Sequence, residues 1–255
     1  MLIKKYPILE FDKDTNALIN PSAETIKINV KLPERLVICF FKEVIAYLLS
    51  KGEISMLANF PSEMLDLHIY KFNTGDCAIV QGTIGGPACG AFLEEFISLG
   101  VKKVILCGGA GSLKSDITVG KYIVVNEAVR DEGFSYHYLK PSRTVKANIT
   151  VINKITNYLQ TQKIDYIIGK TWTTDAIYRE TANKIELRKK EGCIIVEMEQ
   201  ASMLAVAKFR GIEYGAIIYS GDDLSKDEWD SRNWNKQTAV RERLTNICKN
   251  IVLSL

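Results

Sequence analysis

The sequence predicts an α/β fold on a mixed, largely buried β-sheet, and three features lead there. Short β-branched apolar runs alternate with segments of helical period. Those runs are almost continuously hydrophobic, as strands covered on both faces are. One stretch instead mixes polar and apolar residues around a turn signal. With 255 residues and no repeat, low-complexity tract or Pro/Gly/Ser linker, the chain can bury a sizeable core and reads as one domain.

In chain order, "RLVICFF" is a buried strand and "KEVIAYLLSKG" the helix after it. "ISMLANFPSEMLDLHIYKFNTGDCAIVQG" predicts hairpin strands turning at "NTGD", which makes the sheet mixed. "PACGAFLEEFISLG" has helical period, "KKVILCGG", "KYIVVNEAVR" and "DYIIGK" read as strands, and "ASMLAVAKFRG" is a helix before the strand "YGAIIYSG". The final "TAVRERLTNICKNIVLSL" is an amphipathic helix expected to pack on the sheet. The polar stretches 140–148 and 225–237 read as surface loops or helix starts.

A formal charge of +3, with 25% charged and 47% hydrophobic residues, points to neither a nucleic-acid nor a membrane partner. The six cysteines are scattered through apolar runs without a CxxC pair or a Cys/His cluster, so they read as buried thiols in a reducing compartment, and no metal site is expected. The N-terminus meets acids and a proline before any signal-like apolar run, and no stretch approaches membrane-span length; a cytoplasmic protein is expected.

Five segments carry candidate chemistry. "VQGTIGGPACG" sets Gly82, Gly85 and Gly86 between a strand and a helix, where backbone N–H groups can receive an anion or hydroxyl. Its spacing is neither a dinucleotide fingerprint nor a P-loop, and alone it reads first as a tight turn with a close helix–strand approach. "CGGAGSL", residues 107–113, reads as a second Gly-rich loop, and two such loops suggest a crevice at the carboxyl edge of the sheet. "TWTTDAIYRET", residues 171–181, can line a pocket, with Asp175 as a turn or cap residue. "IIYSGDDLS" ends a buried strand in Asp222 and Asp223, acids placed either to donate a proton or to cap a turn. In "VEMEQ", Glu197 and Glu199 flank Met198 at a strand-to-helix junction; i and i+2 point alike on a strand but diverge by about 200° on a helix. One acid is thereby free to bind a ligand while the other braces the loop.

Together these motifs resemble the nucleoside phosphorylase/nucleosidase family, which contains purine nucleoside phosphorylase, uridine phosphorylase and methylthioadenosine nucleosidase. "VEMEQASMLAVAKFRG" followed by "IIYSGDDL" carries the likeness most strongly, supported by "GTIGGPACGAFLEEFISLGVKKVILCGGAGSL", "ITVGKYIVVNEAVRDEGFSYHY" and "TWTTDAIYRE". The resemblance implies a three-layer α/β/α domain over 36–255, with 1–35 an N-terminal extension packed on it, and a homo-oligomer needing no cofactor. It implies cleavage of the N-glycosidic bond of a ribonucleoside or deoxyribonucleoside. Glu199 would hold the ribose hydroxyls, Met198 would pack against the sugar, and Asp222 would protonate the leaving base, which favours a purine. The physical sense is that an oxocarbenium-like sugar forms while the departing base gains negative charge.

The acceptor is divided. Family phosphorylases hold phosphate with an Arg and a Ser or Thr where this chain carries Leu106 and Gly109, and their Gly-Asp-Pro-x-Arg loop is replaced by "VICFFKEVIAY". Phosphate as co-substrate would therefore rest on Gly85, Gly109 and Lys42, or recruit Arg35, Arg130 or Arg179. In the nucleosidase branch a Glu at about the place of Glu43 activates water, although at a helix start Glu43 can simply favour the dipole. "DEGFSYHY", with His137, is closer to uridine phosphorylases. Ile177 stands where many relatives stack a Phe on the base, beside Tyr178. Phosphorolysis of a purine nucleoside is the leading expectation, a hydrolytic nucleosidase the first alternative, and a catalytically silent nucleoside-binding protein the second.

Overall fold

The computed structural model describes residues 4–22, 28, 30–60 and 66–255. Residues 61–65, within the expected hairpin region, and 1–3, 23–27 and 29 of the expected extension lie outside the described residues.

The strands are β1 (Arg35–Cys39), β2 (Ile54–Phe60), β3 (Leu67–Phe72), β4 (Ala78–Gln81), β5 (Lys103–Ser112), β6 (Tyr122–Asp131), β7 (Thr144–Lys146), β8 (Tyr166–Thr174), β9 (Cys193–Glu197) and β10 (Glu213–Asp223). The helices are α1 (Lys42–Ser50), α2 (Gly86–Ser98), α3 (Ile149–Thr161), α4 (Ala182–Lys190), α5 (Gln200–Arg210) and α6 (Thr238–Ser254). The sheet runs β10-β6-β8-β9-β5-β1-β4-β3-β2, with β7 on β6. β1, β4, β5 and β10 are parallel neighbours, whereas β2, β3 and β4 form the antiparallel meander that the mixed segment predicts. Because β5 also pairs with β10, the strands β5, β10, β6, β8 and β9 close into a ring from which β1, β4, β3 and β2 extend.

Period-two alternation explains the layers. Leu36 and Ile38 of β1 face one core with Val104 and Leu106 of β5, covered by Phe92 and Phe96 of α2 and Met203 of α5. Val37, Cys39, Ile105 and Cys107 face the other, covered by α1, α3 and α6 through Val44, Ile155 and Ile251. All six cysteines are buried and unbridged.

Two elements depart from expectation. Residues 108–112 do not form a loop; they continue β5, because they pair with β10 on one side and β9 on the other. Glycine is needed there: a methyl on Gly111 would lie 2.4 Å from Leu224 Cδ1. Likewise "TWTT" continues β8, and part of the 140–148 stretch is β7, paired to β6.

Candidate functional site

The site is assembled where strand ends meet the N-termini of α2 and α5. Glu197, the last residue of β9, is buried and fully engaged. Its Oε1 accepts the hydroxyls of Thr173 (2.6 Å) and Thr171 (3.1 Å), and its Oε2 accepts the backbone N–H groups of Glu199 (2.6 Å) and Gln200 (2.7 Å). Thr173 Oγ1 accepts a further N–H from Ala201 at 3.0 Å. A carboxylate thus satisfies the first free amides of α5 at its positive end, with β8 hydroxyls completing the cap.

Glu199 turns the other way. Its Oε1 accepts the Gly85 N–H at 2.7 Å, and among the described residues no side chain bonds to Oε2. Gly85 has φ 92°, a conformation that glycine adopts without strain, and it directs its amide out of the turn before α2. The next residue has no room for a side chain: a methyl on Gly86 would lie 2.2 Å from Ser202 Oγ. Ser202 donates to Glu132 Oε2 at 2.8 Å, and Glu132 also accepts the N–H of Ser135 at 2.8 Å and the hydroxyl of Ser135. α2, α5 and the turn Phe134–His137 are therefore tied together behind the two glutamates.

Burial pushes both carboxyls above the ordinary Glu value. Four donors oppose this at Glu197, whereas at Glu199 the charge of Glu197 adds to it. The half-exposed Met198 lies between them.

At the end of β10 the two aspartates separate. Asp223 is buried, ion-pairs with Arg232, accepts the Ser225 N–H at 2.8 Å and pairs with Asp230 through the backbone; its carboxyl sits below the usual range because these donors outweigh burial. Asp222 instead accepts the indole N–H of Trp229 at 2.7 Å, and its Oδ1 faces Gly111. Asp223 holds segment 224–232, and Asp222 is the acid left at the surface of the site.

The side where the resemblance would place an acceptor is apolar. The Phe40 ring fills the space beside Gly82, where a methyl would lie 2.4 Å from it, and reaches Gly108 and Leu106. The anion cradle expected from Gly85, Gly109 and Lys42 is not preformed. The Gly85 amide is spent on Glu199, the Tyr219 ring covers Gly109, and Lys42 is exposed at the start of α1. The other cations do not replace them. Arg35 starts β1, at the opposite end of the strand from Phe40. Arg130 donates to Ser135, Lys140, Ser142 and Leu139, and stacks on Tyr136. Arg179 lies on the exposed turn Ile177–Arg179. Glu43 is ion-paired with Arg241, which also donates to Tyr219 Oη (3.0 Å) and to the Trp234 carbonyl (3.0 Å). Glu43 is therefore engaged by Arg241 in this structure.

Ile177 and Tyr178 are 53% and 95% exposed, so neither is packed into a base pocket in this structure. His137 is exposed at the end of its turn. Among the described residues no group of three or more His, Cys, Asp or Glu could hold a metal ion, and no helix is long and apolar enough to cross a membrane. Thr171, Thr173, Glu132, Ser202, Phe40 and Arg241 were not singled out by sequence reasoning. "TWTT" and "DEG" lay inside segments it marked, but their roles depend on partners far along the chain.

Residues 34–254 match the phosphorylase superfamily, and the chain belongs to that family, whose curated relatives here are nucleoside phosphorylases. It is an enzyme of this kind, built on the family fold. Its relatives include guanosine phosphorylase of Halorubrum lacusprofundi, 25% identical over 186 residues, spanning 71% of this chain and 77% of that one. Among solved structures, uridine phosphorylase of Vibrio fischeri superposes with a TM-score of 0.73 at 22% identity, covering 88% of this chain and 93% of that one. AMP nucleosidase of Bacteroides thetaiotaomicron gives 0.69 at 18% identity, covering 88% and 90%. These two structures speak for the fold alone.

Proposed function

We propose that this enzyme cleaves the N-glycosidic bond of a purine ribonucleoside or deoxyribonucleoside. In this reading Glu199 accepts hydrogen bonds from the sugar hydroxyls, Met198 forms an apolar floor under the sugar, and Asp222 delivers a proton to the leaving base. The observation that carries it is the Glu199 carboxylate, held by Gly85 through one oxygen with no side chain bonded to the other among the described residues, on a helix terminus that Glu197 caps. Such a group meets the hydroxyls in one geometry throughout the reaction, so binding energy goes into orientation.

The first reading of the acceptor is phosphate, giving a free base and a sugar 1-phosphate, supported by the relation to guanosine phosphorylase. A second reading, hydrolysis, is favoured by a specific observation: Phe40 and Leu106 present hydrocarbon where a phosphate would need cations. For Glu43 to activate water in that case it must leave Arg241. Incubating guanosine, inosine and adenosine with and without phosphate decides between them. Base release that requires phosphate and yields sugar 1-phosphate supports the first reading, and release indifferent to phosphate supports the second. No release from any nucleoside, with binding retained in calorimetry, overturns both and leaves a nucleoside-binding protein.

A further inference from the structure

A cavity of about 250 Å³ opens between α1 and α6, on the face of the sheet opposite α2 and α5. Val44 and Phe72, both buried, and Leu48 form its apolar wall. Three charged side chains, Glu53, Glu242 and Lys249, line it as well. Backbone contacts give their order along the cavity. Asn73 donates its N–H to the Glu53 carbonyl at 2.9 Å, and Lys249 donates to the hydroxyl of the next residue, Thr74, at 2.8 Å. Glu53 and Lys249 therefore stand at one end. Glu242 lies two turns back along α6, about 10 Å away along the axis. It follows Arg241, whose partner Glu43 precedes Val44, so it marks the other end. Among the described residues neither Glu53 nor Glu242 makes a side-chain hydrogen bond or ion pair, and Lys249 has only the Thr74 hydroxyl and the Phe72 ring, whose centroid is 4.7 Å from its Nζ.

We propose that this cavity binds a dibasic α-amino acid, lysine or arginine in kind. Its carboxylate meets Lys249, its α-ammonium meets Glu53, its methylenes lie along Val44, Leu48 and Phe72, and its terminal cation meets Glu242. Two carboxylates and one ammonium leave the cavity with one net negative charge, which a ligand with one net positive charge complements. A simple cation would meet Lys249, and a simple anion would meet two carboxylates. An uncharged hydrocarbon would draw three charges out of water without compensation. The volume falls below the about 300–1,000 Å³ of sites for drug-sized ligands, which suits one small metabolite. An ammonium and a carboxylate on one carbon match the two groups at the Glu53 end. The side chain of lysine or arginine, together with the reach of Glu242, covers the two turns to the other end. Binding there is independent of which glycosidic bond the enzyme cleaves.

The test is calorimetric titration of the full chain with L-lysine and L-arginine, against three probes that each lack one group. L-leucine lacks the terminal cation, 6-aminohexanoate the α-ammonium and cadaverine the carboxylate. At least one of the two dibasic amino acids should bind, and each truncated probe should bind roughly 10-fold more weakly or worse. Glu242→Gln and Lys249→Met should each lower the affinity by a similar factor, and hydrogen exchange in α1 and α6 should slow when the amino acid is present. The probe series needs no variant, so it reads even where a substitution disturbs folding. Absence of binding by both amino acids overturns the proposal. Cadaverine binding as tightly as lysine overturns it in favour of a site for simple polyamines. Binding that neither variant weakens, or that slows exchange only outside α1 and α6, overturns the location.

Discussion

At the scale of the residue, Glu197 and Glu199 are two like acids with opposite duties. Glu197 accepts two hydroxyls and two amides at a buried helix start, and only the Thr171 hydroxyl has a second acceptor, the Ile195 carbonyl, so its loss leaves three of these donors without this partner. Glu197→Ala is expected to cost about 3 kcal/mol in urea unfolding. Glu199 holds one amide, and Glu199→Gln keeps that bond, so it should leave the fold intact while raising KM for a nucleoside. If Glu197→Ala were no more damaging to stability than Glu199→Gln, the bracing role would be wrong. Glu199 also carries a pH signature. Its folded pKa lies above its unfolded value of 4.5, so the fold keeps a proton that the unfolded chain has released. The stability this carboxyl contributes is complete below that value and falls as pH rises through the folded one. Glu199→Gln removes the dependence, so the variant's stability relative to wild type should grow from about pH 5 to about pH 8. A constant offset in parallel denaturation curves would mean that the carboxyl is already ionised in the fold. The strand-to-helix position of "VEMEQ" made the divergence of these acids legible in the sequence. The hydroxyls of Thr171 and Thr173 that complete the arrangement were not, because they arrive from a different strand.

At the scale of the element, the close approach of α2 to α5 sets the distance across which Gly85 and Glu199 meet. Gly86 and Ser202 are the contact point. Gly86→Ala forces the helices apart or expels the Ser202 hydroxyl from Glu132, and about 1–3 kcal/mol of destabilisation is expected from such overpacking. Adding Ser202→Gly should restore part of the loss, measured as a double-mutant coupling in thermal unfolding; strictly additive effects would mean that the two helices do not bear on one another there. Local pattern identified most of the helices and strands, since amphipathic period and β-branched runs are properties of neighbouring residues. It mistook 108–112 for a loop, because a glycine-rich segment reads as a turn unless partner strands take up its backbone groups. Here β10 and β9 both do so.

At the scale of the whole molecule, Arg241 joins four parts of the chain. From α6 it reaches Glu43 of α1, Tyr219 of β10 and the carbonyl of Trp234, and its guanidinium lies near the rings of Phe41, Tyr219 and Trp234. Arg241→Leu should lower stability by about 2 kcal/mol, since the guanidinium's bonds to the Tyr219 hydroxyl and the Trp234 carbonyl are lost while Glu43 is open enough to regain water. Hydrogen exchange at 234–242 should rise above that of the sheet; unchanged exchange there would show that the segment is held by other contacts. The same long-range closure decides the acceptor side. In sequence Phe40 is any strand-end aromatic; in the fold Gly82 and Gly108 leave room for its ring.

The sequence by itself determined the layered α/β architecture, the family and the paired acids of "VEMEQ", because periodicity and ordered motifs are written in short stretches of chain. Only the tertiary structure decided that Asp223 is tied to Arg232 while Asp222 is not. It also paired Glu43 with Arg241 and, among the described residues, left the Glu180 carboxyl without a hydrogen-bond partner beside a cavity. Those outcomes depend on which charges and donors folding brings together across many tens of residues, and the energy of a buried charge is set by that company and not by its neighbours in sequence.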